Sequence, residues 1–590
     1  MLKRPSLPII VFMLMLIGVL AAVPFFGGGY AIKLATRLMI MALFVLSLDL
    51  LIGFTGLVSF GHAAFFGLGA YAVYFVSPED GAANILLILL AAFVLAAIGA
   101  LIVGAFAMLT RGFYFIMVTM AAGQMLFSLF HDTEIAKGSD GAYINVKPEL
   151  MIGKMTLLDF SNRWQFYYFC LGALIVTYFA LFALVRSPFG RVLQGIKINE
   201  IRMGAIGYDS YRYKLAAFTI SGAIAGVAGA LFACIDGYIT PELMSWHQSG
   251  LAIMMVVLGG AGTLFGPIIG ALAYASLEEL LKTTSVVGKF VSEHWRIGTG
   301  ATLVAAVLMS PDGLAGFFKI FNRKAKDHEP ASSEAPHVER PARVAKSLST
   351  ENLSRHFAAL IAVGDVTIQF EPNKVHAIIG PNGAGKTTFT NLLSGALKPS
   401  KGRVKMGDLD VTGWPAHRIA QQGMGRSFQR TNIFGGFTVR ENCALAAQAR
   451  NASLLRFTDG AFQDKEEASV DHALRVAGLL DRSESIASQL SNGEQRQLEI
   501  AMLIASGADL LLLDEPLAGM GPEETKRVVA LLRDLTKDHT VILIEHDMDA
   551  VFAAADTLTV LVLGRLMAHG TPDDIRKNEA VLDAYLGRAH

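Results

Sequence analysis

The chain has 590 residues, 53% of them hydrophobic and only 17% charged, with 50 basic side chains balanced by 50 acidic ones. That length is too great for one hydrophobic core, and a mean hydropathy of +0.47 is too high for an ordinary soluble chain, so at least two domains and a membrane-embedded part are required. Net neutrality without a long basic run disfavours nucleic-acid binding, and three scattered cysteines (Cys170, Cys234, Cys443) argue against a disulfide framework or a zinc site.

Charge is unevenly placed: 35 of the 100 charged side chains fall in residues 1–320. Apolar stretches there run near 7–26, 34–57, 60–76, 84–109, 112–130, 164–185, 215–235, 251–276 and 297–310, most of them close to the ~20 residues that span a bilayer. No small-residue cleavage site follows the first, which reads as a membrane helix rather than a cleaved leader. The loop carrying Arg191, Lys197, Arg202, Arg212 and Lys214 places the end of the sixth stretch in the cytoplasm. Nine crossings would leave the chain outside after residue 310, where the motifs described below need ATP. The stretch 251–276, interrupted by Gly259, Gly260, Gly262 and Gly266-Pro267, is therefore expected to break into two pieces or a re-entrant hairpin, for an even total of eight or ten helices.

Glycines such as Gly222 and Gly226, four apart, suit close helix packing in lipid. Asp49, His62, Gln124 and Asp236 lie in or beside spans, where a polar group either lines a solute path or caps and bridges helices. No substrate-contacting residue can be named from the sequence. From 321 to 350 the chain becomes polar and proline-containing, the composition of a flexible tether whose basic start, Arg323, Lys324 and Lys326, belongs in the cytoplasm.

Beyond the tether, Val375–Ile379 reads as a strand running into Gly380-Pro381-Asn382-Gly383-Ala384-Gly385-Lys386-Thr387-Thr388 and then a helix. In such a loop the glycine amides and the helix N-terminus wrap phosphates, Lys386 neutralises β/γ charge and the Thr387 hydroxyl ligates Mg²⁺. Leu510 to Leu513 form a second apolar strand, ending in Asp514 and Glu515. Asp514 is placed to hold Mg²⁺, and Glu515 to take the proton of the attacking water.

Between these motifs lies Leu490-Ser491-Asn492-Gly493-Glu494-Gln495, which resembles the signature of ABC-transporter ATPases, as does the stretch 351–590 as a whole. The resemblance implies an α/β P-loop ATPase using ATP and Mg²⁺, with Phe357 stacking on adenine, Gln429 sensing Mg²⁺ and the attacking water, and His546 contacting the γ-phosphate. It also implies that Ser491, Asn492, Gly493 and Glu494 face the ATP of a partner domain, so that a self-dimer or a second ATPase subunit is needed. Two positions depart from the family pattern: Glu494 stands where Gln is usual, and Gly521 where Asp is frequent.

Within 1–320, the segments Ser47 to His62, Arg111 to Thr119, Ser187 to Tyr208 and Val257 to Pro267 resemble permeases of branched-chain amino acid importers. The segment after Ser187 resembles their coupling segment, and Leu517 to Pro522 and Ala584 to Gly587 resemble their energising subunit. The implied organisation is a polytopic all-α permease domain over 1–320, the tether, and a cytoplasmic ATPase domain over 351–590. The implied activity is ATP-driven import of branched-chain or related hydrophobic amino acids across the bacterial inner membrane. A second permease, a second ATPase and an external solute-binding protein complete such a machine. Related machinery takes urea, short amides or aromatic acids, and a fused order is also common in exporters. The short inner loops here, such as Thr110-Arg111-Gly112, disfavour the exporter reading.

Overall fold

The computed structural model describes residues 7–78, 81–153, 155–282, 293–317, 345–451, 453–454, 463–518 and 520–586. Two compact units emerge: Met1–Lys197 with Tyr211–Lys326, and Ile198–Ser210 with Asp327–His590. The second half of the predicted coupling segment, from Ile198 on, thus packs as part of the second unit, whereas Ser187–Lys197 stays with the first.

The first unit is built of helices α1 (Leu7–Phe26), α2 (Gly29–Asp49), α3 (His62–Val76), α4 (Ile85–Ala107), α5 (Phe113–Asp132), α6 (Arg163–Arg186), α7 (Pro188–Ile198), α9 (Ser210–Asp236), α10 (Trp246–Gly259), α11 (Phe265–Lys282) and α12 (Trp295–Met309); α8 (Glu200–Ile206) lies in the second. Among the described residues, seven helices are long and apolar enough to cross a membrane, and α3 and α10 are shorter apolar helices. Helix α3 has 15 residues and α10 has 14, rising about 22 Å against a hydrocarbon layer of about 30 Å, and α11 carries Glu278, Glu279 and Lys282 at its end.

The stretch 251–276 does break, between α10 and α11. The Asp49 carboxylate accepts the N–H groups of Gly262 (2.7 Å) and Leu264 (3.2 Å), which a broken helix leaves without intrahelical partners. Asp49 ends α2, where the chain passes into a π-turn over Leu50–Thr55, and the Gly53 carbonyl freed there accepts from Lys197 Nζ at 2.6 Å. His62 Nε2 lies 2.9 Å from Ser47 Oγ, Asp236 pairs with Lys33 at 2.7 Å, and Gln124 is exposed on α5.

Small residues set how closely the helices pack. Helix α4 buries Ala92, Ala96, Ala100 and Gly104, a stripe of period four, while its leucines face outward. A Cβ on Gly226 would stand 2.4 Å from the Ala96 Cβ, and one on Gly69 only 1.9 Å from the Gly226 carbonyl oxygen, so α3, α4 and α9 meet backbone to backbone.

In the second unit, six strands form a sheet in the order β10 (Met424–Arg426), β11 (Leu510–Asp514), β12 (Thr540–Ile544), β7 (Val375–Ile379), β13 (Thr557–Val562) and β14 (Arg565–Gly570), parallel except for the last. Strands β7, β11 and β12 are buried on both faces, as a covered parallel sheet requires. A four-stranded antiparallel sheet runs β6 (Leu360–Phe370), β5 (Leu348–Phe357), β8 (Lys401–Met406) and β9 (Leu409–Asp410). The core between the sheets gathers Phe370, Phe389, Leu393, Leu512 and Ile542. Strand β5 starts at Leu348, so the last residues assigned to the tether are sheet; residues 318–344 lie outside the described residues.

Candidate nucleotide site and coupling segment

The phosphate loop, Gln429, Glu515 and His546 all lie beyond the carboxyl ends of parallel strands, where an open α/β sheet presents its ligand site. The phosphate loop follows β7 and leads into α13 (Lys386–Leu393). Its shape depends on Gly383 and Gly385, at φ +80° and +92°, a region that penalises side chains. At Gly385 a Cβ would also stand 2.4 Å from the Ala362 carbonyl oxygen of β6, so the loop is pressed against the sheet. Gly380 and Ala384 are buried, Pro381 and Thr388 half-buried, and Asn382 and Thr387 exposed. Lys386 Nζ donates to the carbonyls of Gly380 and Pro381. Burial holds its pKa below the usual lysine value, partly offset by the carboxylates of Glu515 and Asp514.

Asp514 ends β11 as a buried residue whose pKa is raised by desolvation, and its N–H donates to Ser427 Oγ at 2.9 Å. Glu515 follows at φ +48°, a strained value for a side chain with a Cβ, held by its N–H to the Ile544 carbonyl (2.8 Å). Gln429, beyond β10, donates from Nε2 to Glu515 Oε2 at 3.1 Å. His546, beyond β12, has Nδ1 3.9 Å from Glu515 Oε1 and 3.7 Å from Glu545 Oε2. The structure therefore brings Lys386, Gln429, Asp514, Glu515 and His546 together. Phe357 ends β5, partly exposed, with the Arg355 guanidinium 4.7 Å from its ring centre.

Ser491 caps α14 (Asn492–Ala505), the helix that carries the signature. Its Oγ accepts the Glu494 N–H at 3.2 Å, and Glu494 Oε2 accepts the Ser491 N–H at 2.8 Å. This is a reciprocal capping box, which Gln would close as well; what the departure to Glu494 adds is a charge that faces Arg482. Those contacts and Arg482, whose Nε is 3.3 Å from Glu494 Oε1, hold the Glu494 pKa below the usual carboxylate value. Gly521 begins the helix Pro522–Leu535, with its N–H 3.4 Å from Glu524 Oε2.

The sequence reading missed the centre of the coupling segment. Arg202 is fully buried; its Nη1 donates to the Arg426 carbonyl (2.9 Å) and to Glu499 Oε1 (3.4 Å). Glu499 Oε1 also accepts the Phe428 N–H at 3.1 Å, and Glu499 Oε2 faces Arg496 at 3.3 Å. Arg496 in turn donates to the carbonyls of Phe428 and Gln429. Burial raises the Glu499 pKa against the opposing pull of the two guanidiniums. Tyr208 Oη donates to the Leu445 carbonyl (2.8 Å), and Gln421 to the Gly207 carbonyl (2.9 Å). In a basic loop, nothing in the sequence marks one arginine as buried, since its acid partner lies almost 300 positions away.

A P-loop, an acidic strand end, a capped signature helix and a polytopic helical unit together define an ABC transporter with permease and ATPase in one chain. Residues 30–307 match the model of the branched-chain amino acid transport system permease component, residues 363–518 that of the ABC transporter, and residues 565–590 that of the branched-chain amino acid ATP-binding cassette transporter. The ATP-binding protein LivG of Escherichia coli K12, named as high-affinity branched-chain amino acid transport, is 39% identical over 251 residues, 41% of this chain and 98% of its own. BraF of Pseudomonas aeruginosa, named likewise, is also 39% identical, over 41% of this chain and 98% of its own. Among solved structures, the ADP conformation of MJ1267, an ATP-binding cassette of an ABC transporter, is 27% identical with a TM-score of 0.38, covering 41% of this chain and 99% of that one. The chain belongs to the branched-chain amino acid ABC transporter family, as a membrane protein with a cytoplasmic, ATP-hydrolysing domain.

Proposed function

We propose that this chain is one fused permease–ATPase subunit of an importer that draws branched-chain amino acids across the bacterial inner membrane at the expense of ATP. The family match supports the substrate class. The observation that carries the coupling is the hydrogen-bonded path from Arg202, in the loop between two membrane helices, through Glu499 and Arg496 to the Gln429 backbone and on to Glu515. A subunit of this kind works with a second permease, a second ATPase or its own copy, and an external solute-binding protein.

In this reading the phosphate loop holds ATP, Phe357 stacks on the adenine, and Ser491, Asn492, Gly493 and Glu494 close over the nucleotide of the partner domain. Thr387, Gln429 and Asp514 offer a hydroxyl, an amide oxygen and a buried carboxylate, a hard oxygen set that suits Mg²⁺, which would neutralise phosphate charge when bound. Gln429 orients the attacking water, Glu515 accepts its proton, and His546 steadies the γ-phosphate. Movement of Gln429 on binding or hydrolysis is transmitted to Arg202 because the intervening groups are buried and directly bonded.

The test is uptake of labelled leucine by cells carrying the complete complex, with valine, urea or benzoate as competitors. Accumulation that valine blocks and that Glu515→Gln abolishes is expected. Leucine accumulation that persists in Glu515→Gln refutes ATP coupling through this site, and competition by urea or benzoate in place of valine refutes the substrate.

A further inference from the structure

A cavity of about 260 Å³ opens in the first unit between the start of α2, the start of α6, the end of α9 and the segment before α6. Its position along the membrane normal follows from the chain. Helix α6 is followed by α7, whose 11 residues are too few to cross the bilayer, and then by Ile198–Ser210, which packs within the ATPase unit and leads into α9, so Arg163 and Ile235 are at the opposite, external ends. Lys197 bonds Gly53 just past the end of α2, so the start of α2, with Tyr30 and Lys33, is external too.

The floor of this cavity is apolar and buried, with Ile32 at 5% exposure, Phe160 at 2% and Phe166 at 7%. Its rim carries three cations, Lys33, Lys147 and Arg163. Lys33 is paired with Asp236, whereas among the described residues neither Lys147 nor Arg163 meets an acid. The Arg163 guanidinium enters because Gly29 has no side chain: a Cβ there would lie 2.7 Å from Arg163 Nη1. Volume, apolar floor and cationic rim together select a small molecule with a short hydrocarbon tail and a carboxylate, since an ionised acceptor gains most from guanidinium and ammonium donors.

We propose that this external cavity is an entry site for the transported amino acid, with the aliphatic side chain on Phe160 and Phe166, the carboxylate on Arg163 and Lys147, and the ammonium toward Asp236. The proposal rests on the import reading above for its choice of amino acid.

Two measurements on the complete complex separate the site from that reading: equilibrium binding of labelled leucine in detergent without the solute-binding protein, and leucine uptake into proteoliposomes with it. Binding is expected to be displaced by 4-methylpentanoate, which keeps tail and carboxylate, and not by 3-methylbutylamine, which keeps tail and ammonium. Arg163→Gln and Lys147→Gln should each weaken binding about tenfold or more, with partial recovery in Arg163→Lys. Unchanged binding in folded Arg163→Gln and Lys147→Gln complexes overturns the proposal, as does absence of both leucine and 4-methylpentanoate binding. Displacement by phosphatidylglycerol and not by 4-methylpentanoate assigns the rim to a lipid headgroup and also overturns it. Arg163-dependent binding of 4-methylpentanoate by a wild-type complex that accumulates no leucine sustains the carboxylate site and refutes the substrate reading instead.

Discussion

At the scale of single residues, the chemistry depends on where one proton goes. Glu515 is held at φ +48° within reach of Gln429 and His546, while the phosphate loop is shaped independently by Gly383 and Gly385. In the proposed mechanism, Glu515→Gln preserves the cradle and removes the base. Steady-state ATP hydrolysis should fall about 10²–10⁴-fold with nucleotide binding intact, measured by phosphate release and by retention of labelled ATP. Multiple turnover at the wild-type rate would take the base role away from Glu515. Glu515 and the phosphate loop were readable from sequence because each follows an apolar strand at one sheet edge, whereas Gln429 and His546 were reached only through the family resemblance. The partners that tune them were not readable: Ser427 beneath Asp514 and Arg355 over Phe357 are ordinary residues until the fold brings them close.

At the scale of elements, the signature helix shows how a helix start satisfies its own backbone. Ser491 and Glu494 satisfy each other's backbone N–H, a box legible in Ser-X-X-Glu although its spacing went unread. Because the folded Glu494 pKa is depressed, its contribution to stability is present above the unfolded carboxylate value of about 4.3 and is lost as pH falls through the folded value. Glu494→Gln retains an acceptor but not the charge, so the acid limb of the thermal-stability profile below about pH 5 should become shallower; an unchanged profile would show that the carboxylate is not coupled to folding. Ser491→Ala removes the cap and should cost about 1 kcal/mol of stability, seen as a lowered melting transition. In the membrane unit the comparable device is steric. Gly69→Val drives a side chain into the Gly226 carbonyl and should separate α3 from α9, giving a complex of much lower thermal stability than Leu90→Ala on the exposed side of α4. Glycine spacing announced this packing in the sequence, and the break at 259–264 was equally visible. Its cap was not, because Asp49 lies more than 200 positions from the N–H groups it accepts.

At the scale of the whole molecule, what makes a transporter of a permease and an ATPase is a strut that neither can change alone. Residues Ile198–Ser210 belong covalently to the run between two membrane helices and pack within the ATPase unit. Arg202, fully buried against Glu499, fastens them there. Removing one member of a buried ion pair leaves the other uncompensated, at a typical cost of 3–5 kcal/mol, whereas replacing both with apolar residues is often neutral. Glu499 is shared with Arg496, so Arg202→Met leaves it one guanidinium and should destabilise the ATPase unit by less than that while abolishing leucine accumulation; adding Glu499→Leu leaves the buried Arg496 without a carboxylate and the Phe428 N–H without its acceptor, so the double variant should recover neither stability nor transport. ATP hydrolysis by the double variant should persist and cease to respond to the liganded solute-binding protein. Full recovery of transport in the double variant would mean that Arg202 is only a fastening and that the signal between ATP and solute travels by another part of the segment, with Tyr208 on the Leu445 carbonyl the next group to remove.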